Sequence, residues 1–223
     1  MIDRSDGLQR FADAAFAGFD LCAGAPASRR SIAKIFSALK TPAPQATSAG
    51  ERLPICSSLD QALEVRTSSP VLLDLVTKFR TIEPSLRWRR RPSDASASDN
   101  FSDKHANAMI LGPGGLEDRH DVWLGVTLMA PHVRYPDHDH APEETYLVLS
   151  EGEFRQADTA WFEPGIGGSF FNPPGIRHAM RSGDRPLFAF WALWAGGHLG
   201  SRGTDRSERL VPLSAGTAAR RVT

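Results

Sequence analysis

The sequence predicts a mainly β domain preceded by a helical extension, and three observations carry that expectation. Through the first ninety residues, apolar side chains recur at three- and four-residue intervals, the spacing of one helix face. From about residue 105 the pattern changes to short runs rich in β-branched and aromatic residues, separated by Gly, Pro and Asp turns. Such runs read as a β-sandwich or small barrel. Between the two, RPSDASASDNFSDK (91–104) is polar and serine-rich with little to bury, so it reads as a linker or mobile loop. The chain therefore divides into a helical extension (1–90), a linker (91–104), a β domain (105–200) and a polar tail (201–223).

Each element has its own signal. Leu8, Phe11, Ala12, Ala15, Phe16 and Phe19 share one helical face, and Ile32, Ile35, Phe36 and Leu39 share another. Ser58 and Gln61 have the form of a capping box ahead of LDQALEVR. Ser69-Pro70 places a cap and an N1 proline before VLLDLVTKF, whose Val71, Leu72, Leu75, Val76 and Phe79 lie on one side. Four short helices are expected from these patterns. The strand expectations are VWLGVTLM (122–129), TYLVLS (145–150), GSFFN (168–172) and PLFAFWALW (186–194).

Composition narrows the function classes. The 223 residues are 41% hydrophobic, enough for a sizeable core, and Lys+Arg balances Asp+Glu at 26 each. That balance gives no reason to expect a nucleic-acid or membrane-surface partner. The one local exception, RWRRRP (87–92), reads as a solvated run flanking the linker. Two cysteines, Cys22 and Cys56, without CxxC spacing, argue against a disulfide framework or thiolate metal site and fit a reducing cytoplasm. No N-terminal signal is visible, and no stretch reaches the roughly 18 apolar residues of a membrane span.

The chemistry concentrates in YPDHDHAPEETYLVLSEGEF (135–154), which holds both tyrosines of the chain, Tyr135 and Tyr146, with His138, His140, Glu143 and Glu144 between them. Positions 138, 140, 144 and 146 are all even, so on a continuous strand they would share one face, although Pro142 interrupts strict alternation. Downstream, Pro173-Pro-Gly175 is a turn that would deliver His178 to the end of an adjoining strand. Neutral imidazoles and a carboxylate suit a divalent first-row metal and leave positions open for substrate. Glu143 competes with Glu144 as ligand, and strand parity favours Glu144. The other histidines, His105, His120, His132 and His198, receive no site role.

HDHAPEE resembles the first cupin motif, HxHxxxE followed by a glycine. Gly167…Pro173-Pro-Gly175-Ile-Arg-His178 matches the second, GxxxxxPxGxxH. Three positions depart from the pattern: His132 stands where a glycine is expected, Gly152 lies one place late, and Ser182 replaces an asparagine. These touch turns, not ligands. The resemblance implies a double-stranded β-helix (jelly-roll) barrel with His138, His140, Glu144 and His178 binding one divalent metal. Zinc would suffice, with iron(II), manganese, cobalt or nickel as substitutes.

Tyr146 at two residues past Glu144, Tyr135 just upstream, the EExYL stretch and the helical extension are similar to the cupin-type dimethylsulfoniopropionate (DMSP) lyases of the DddL and DddQ groups. PDHDHAPEETYLVLSEGEFR and FNPPGIRHAM carry that resemblance over about residues 120–195. It implies cleavage of DMSP to dimethyl sulfide and acrylate with a tyrosine as base. Tyr146 is the candidate base and Tyr135 a second group reaching the same cavity. The sulfonium would need an aromatic pocket, for which the β half offers Trp123, Trp161, Phe170, Phe171, Phe188, Phe190, Trp191 and Trp194. Two rivals share the ligand set: another cupin enzyme such as an iron dioxygenase acting on a thiol or small acid, and a cupin that binds a ligand without turnover. A DNA-binding regulator is disfavoured, because the N-terminal helices lack a helix-turn-helix with basic recognition residues. The amphipathic helices fit either a cover over the barrel mouth or a homodimer interface.

Overall fold

Amphipathic helices and alternating strands need a common core, and they find it in layers. The computed structural model describes residues 3–46 and 49–196, so the 201–223 tail and His198 lie outside it. The helices are α1 (Asp6–Cys22), α2 (Pro26–Ala38), α3 (Leu59–Ala62), α4 (Pro70–Ile82) and α5 (Phe101–Lys104). The strands are β1 (Trp88–Arg89), β2 (His105–Leu111), β3 (Val122–Met129), β4 (Glu143–Val148), β5 (Glu153–Gln156), β6 (Ser169–Asn172), β7 (His178–Arg181) and β8 (Leu187–Trp194). All pairings within these strands are antiparallel. One sheet runs β1-β2-β3-β8-β4-β6, and β5 pairs with β7 in a second, giving the cupin-like β-sandwich the motifs imply.

Parity sorts the large sheet into two faces. Phe188 and Phe190 of β8 point to the helices: Phe79 of α4 lies 5.3 Å from each ring centroid, and Phe11 of α1 lies 5.9 Å from Phe190. All four rings are fully buried, each worth about 1.5–3 kcal/mol of transfer free energy. Of the face read from the α1 sequence, only Phe16 stays exposed. The helical extension therefore backs the sheet. The opposite face looks into the sandwich. There Trp191 stands opposite both Tyr146 and Gly125. A Cβ on Gly125 would come within 2.2 Å of the Trp191 ring, so glycine lets that indole lie across β3.

A buried ionic network fixes the helices to the β2–β3 connection. Arg4 Nε lies 2.6 Å from Glu117 Oε2, and Arg119 Nη1 reaches Glu117 Oε1 at 2.8 Å. The same guanidiniums donate to Leu39 O and Ala38 O, satisfying carbonyls at the C-terminal end of α2.

Three sequence expectations need correction. Ser58 makes no side-chain cap: the 3₁₀ turn Pro54–Ser58 already holds it in a helical conformation, and α3 is a single turn. Ser69 does accept from Leu72 N, at 3.4 Å. The basic run at 87–92 is not simply solvated, because Trp88 is fully buried and opens the large sheet. The 91–104 stretch is more ordered than its composition announces, with α5 placing the buried Phe101 ring flat on His105 at 3.5 Å. His132, in place of the motif glycine, has φ 59°, the left-handed conformation glycine supplies without steric cost. Cys22 and Cys56 are both free.

Candidate metal centre

The site is assembled from both sheets. On β4, alternation turns Glu144 and Tyr146 inward and Glu143 outward, where Glu143 pairs with Lys34 of α2 at 2.9 Å. His138 lies outside the named strands but opposite His178. The two exchange backbone hydrogen bonds of 3.0 and 2.8 Å, which sets their rings 4.0 Å apart. Gly175, at φ 70°, closes the Pro173-Pro-Gly turn and donates its N–H to His140 O at 2.9 Å. That turn thus aligns the His140 backbone and launches β7 at His178.

Ligand atoms of His140, Glu144 and His178 all lie within 4.8 Å of one another. Glu144 Oε2 is 3.3 Å from the Nε2 atoms of both His140 and His178. His138 flanks this trio, against His178. Each histidine ties its Nδ1 to a nearby backbone carbonyl: His138 to Pro136 O at 2.9 Å, His140 to Pro142 O at 2.8 Å and His178 to Ile176 O at 2.9 Å. An Nδ1–H donated to a carbonyl leaves the lone pair on Nε2, the tautomer that ligates a metal. His178 Nε2 is buried without a well-formed hydrogen bond, and a bound cation would satisfy it. The donor set of imidazole and carboxylate fits a divalent first-row ion.

The electrostatics agree. Burial alone would raise the Glu144 carboxyl, but the imidazoles of His140 and His178 hold it well below the usual carboxylate range. Burial, with His178 and Arg91 nearby, keeps His138 well below its ordinary value and therefore neutral. Two residues missed in the sequence hold Glu144 in place. Asn172, its partner across β4–β6, donates from Nδ2 to Oε2 at 2.8 Å, and Gln156 Nε2 donates to Asn172 Oδ1 at 2.6 Å. Gln156 is the β5 partner of His178, so it links the two sheets beneath the ligands. The only sequence signal for Asn172 was its place on the same strand face as Phe170.

Both tyrosines enter the same interior. The Tyr146 ring stacks on Phe170 at 5.1 Å and stands 6.3 Å from the His178 ring, with its hydroxyl toward Glu144. Burial, reinforced by Glu144, pushes its phenol well above the ordinary value. Tyr135 lies 4.9 Å from His138, and its hydroxyl accepts from Asn107 Nδ2 at 2.7 Å. Thr127 donates to Asn107 Oδ1 and Trp191 Nε1 donates to Thr127 Oγ1, a polar chain crossing three strands. Of the aromatic candidates, Phe170 and Trp191 share the face of Tyr146, and Phe154 joins them 5.6 Å from its ring. Phe188 and Phe190 back onto helices. Trp161 instead lies beneath the guanidiniums of Arg134, Arg155 and Arg181.

His105 is structural. It is sandwiched by Phe101 and Tyr135, its Nε2 accepts from Arg91 N at 2.8 Å, and burial pushes its pKa down to about 4. The groups acting on it are Arg90 and Arg91, which oppose its protonation, and the Phe101 carbonyl, which favours it. The unfolded chain therefore binds a proton at this position between about pH 6.5 and about pH 4 that the native state refuses. Its contribution to stability should fall as pH drops through that window, by about 3 kcal/mol in full. Urea unfolding at about pH 7 and pH 4.5 checks this. His105→Gln should show a shallower decline than wild type, and an equal decline would contradict it.

The family model for dimethylsulfoniopropionate lyases matches residues 27–189. Dimethylsulfoniopropionate lyase DddQ of Ruegeria pomeroyi is 32% identical over 111 residues, covering 49% of this chain and 55% of that protein. A putative dimethylsulfoniopropionate lyase DddL of Cereibacter sphaeroides is 34% identical over 94 residues, covering 42% of this chain and 39% of the relative. The chain thus spans about half or less of the length of these curated relatives. The crystal structure of DMSP lyase DddQ from Ruegeria pomeroyi shares its fold, with TM-score 0.67 and 24% identity over 86% of this chain and 94% of that one. Among the described residues no helix is long and apolar enough to cross a membrane. With a family match spanning well over half of its length, the chain belongs to the dimethylsulfoniopropionate lyase family.

Proposed function

We propose that this protein is a metal-dependent carbon–sulfur lyase that cleaves DMSP to dimethyl sulfide and acrylate by β-elimination. One divalent ion, zinc in the first instance, would be held by His138, His140, Glu144 and His178. The observation that carries this reading is a shared interior face: Glu144 and Tyr146, two residues apart on β4, meet His178 from the other sheet. When bound, the ion supplies Lewis acidity that draws charge from the substrate's carboxylate and makes the α-proton easier to remove.

The chain's own groups supply the rest. Tyr146, as phenolate, takes the α-proton onto its hydroxyl oxygen. The electron pair left on the α-carbon forms the carbon–carbon double bond as the C–S bond breaks, and sulfur departs as neutral dimethyl sulfide. No electron leaves or enters, so no redox partner is needed. Phe154, Phe170 and Trp191 offer aromatic faces to the dimethylsulfonium, each worth about 0.5–2 kcal/mol. Tyr135, fixed by Asn107, contacts the substrate from the opposite flank.

Purified protein incubated with DMSP should release dimethyl sulfide into the headspace and acrylate into solution in equal amounts. Exhaustive chelation should lower the rate by more than about tenfold, and added zinc should restore it. Metal-replete protein that releases no dimethyl sulfide would sink the lyase reading.

A further inference from the structure

The basic run at 87–92 holds a side chain that the reaction above leaves without a task. Arg89 and Arg90 are paired with Glu51 and Asp103 at the surface. Arg91 makes no ion pair among the described residues. It is half-buried, its backbone N–H is pinned to His105 Nε2, and its guanidinium lies 5.9 Å from the centre of the buried Tyr135 ring. From there its charge acts on Tyr135 and His138, and less on Tyr146. The opposite flank is aromatic: Phe154 and Phe170 close around Tyr146, with Phe162 behind them.

A half-buried arginine with its guanidinium over a phenol ring and no carboxylate partner among the described residues has donors to offer, and its planar fork matches a carboxylate. Building on the lyase reading, we infer that Arg91 is the recognition group for the substrate's carboxylate, and that it sets the direction in which the zwitterion enters. The carboxylate lies on the Tyr135 side, beside Arg91. The sulfonium then falls on the aromatic side, where no cation opposes it. A guanidinium on the sulfonium side would repel substrate, so its confinement to one flank makes the cavity polar end to end. Arg91 thus selects ω-sulfonium carboxylates over sulfonium ions that lack an acid group.

The test separates this from the lyase reading by using ligands that are not turned over. Propionate, a carboxylate without the sulfonium, and ethyldimethylsulfonium, the cation without the acid, are titrated into zinc-loaded full-length protein by calorimetry. Arg91→Met should weaken propionate about 10- to 100-fold, the loss of a charge-assisted pair, and change ethyldimethylsulfonium by less than about twofold. Arg91→Gln, which keeps hydrogen-bonding capacity for Tyr135, should lose propionate affinity similarly and decides the matter if Arg91→Met does not fold. Zinc content and melting temperature of the variant used should match wild type, and with DMSP the change should appear in KM more than in kcat. Wild-type affinity for propionate in Arg91→Gln, or no propionate binding by wild type, would overturn the role of Arg91. Wild type that binds propionate in an Arg91-dependent way yet releases no dimethyl sulfide would overturn only the lyase reading.

Discussion

Replacing His178 by alanine should strip the protein of its metal and lower dimethyl sulfide release to below about one hundredth of wild type. The position concentrates three functions. His178 offers a buried Nε2 without a well-formed hydrogen bond among the described residues, it exchanges backbone bonds with His138, and the Glu144 carboxylate lies 3.3 Å from that Nε2. Losing even a residue that only supports a ligand costs about 10- to 100-fold in metal affinity, and losing the ligand itself should cost at least as much. The strand pairing of β7 with β5 is made by the backbone, so the variant should still fold. Elemental analysis after dialysis, alongside the headspace assay, measures both effects. Stoichiometric metal in the variant would remove His178 from the ligand set.

Tyr146→Phe should leave the metal in place and lower kcat by about 10²–10⁴, the usual worth of a positioned general base. The substitution keeps the ring that stacks on Phe170 and deletes one hydroxyl, and Glu144 retains its bond from Asn172. Folding and metal content should therefore be close to wild type. The phenol has a real obstacle to overcome: burial and Glu144 both hold it protonated. A divalent ion, if held by Glu144, would reverse the second influence and oppose the first. Unchanged activity in Tyr146→Phe would reassign the base without touching the metal site.

Much of this was legible before any coordinates. The helix faces of α1, α2 and α4 follow directly from apolar spacing, and four strands were found because their runs are long or aromatic. The other four were hidden for physical reasons. β1, β5 and β7 span two to four residues, too few to display an alternation. β2, HANAMIL, mixes Ala, Asn and Met with only one β-branched residue, and its burial comes from its neighbours. At the site, residues belonging to the two motifs were recognised, His178 among them, and those brought in by register outside the motifs were not. Asn172 acts on Glu144 from 28 residues away and Gln156 acts through Asn172 from the other sheet. Arg91 was concealed by its setting, since composition treats three consecutive arginines alike and cannot tell which one turns inward.

The short tethers on the three histidine rings have a consequence for how a metal ion would be acquired. Each Nδ1 is bonded to a carbonyl only two residues away, so each ring's aim is written into a local stretch of backbone. Long-range packing needs only to bring those stretches together. Little rearrangement then remains when an ion arrives, because the ordering entropy has been spent during folding. Capture would be governed by the ion shedding its water shell and by access through the cavity. The folded apoprotein would therefore be a ready receptor, unlike small zinc modules in which the metal must organise the chain.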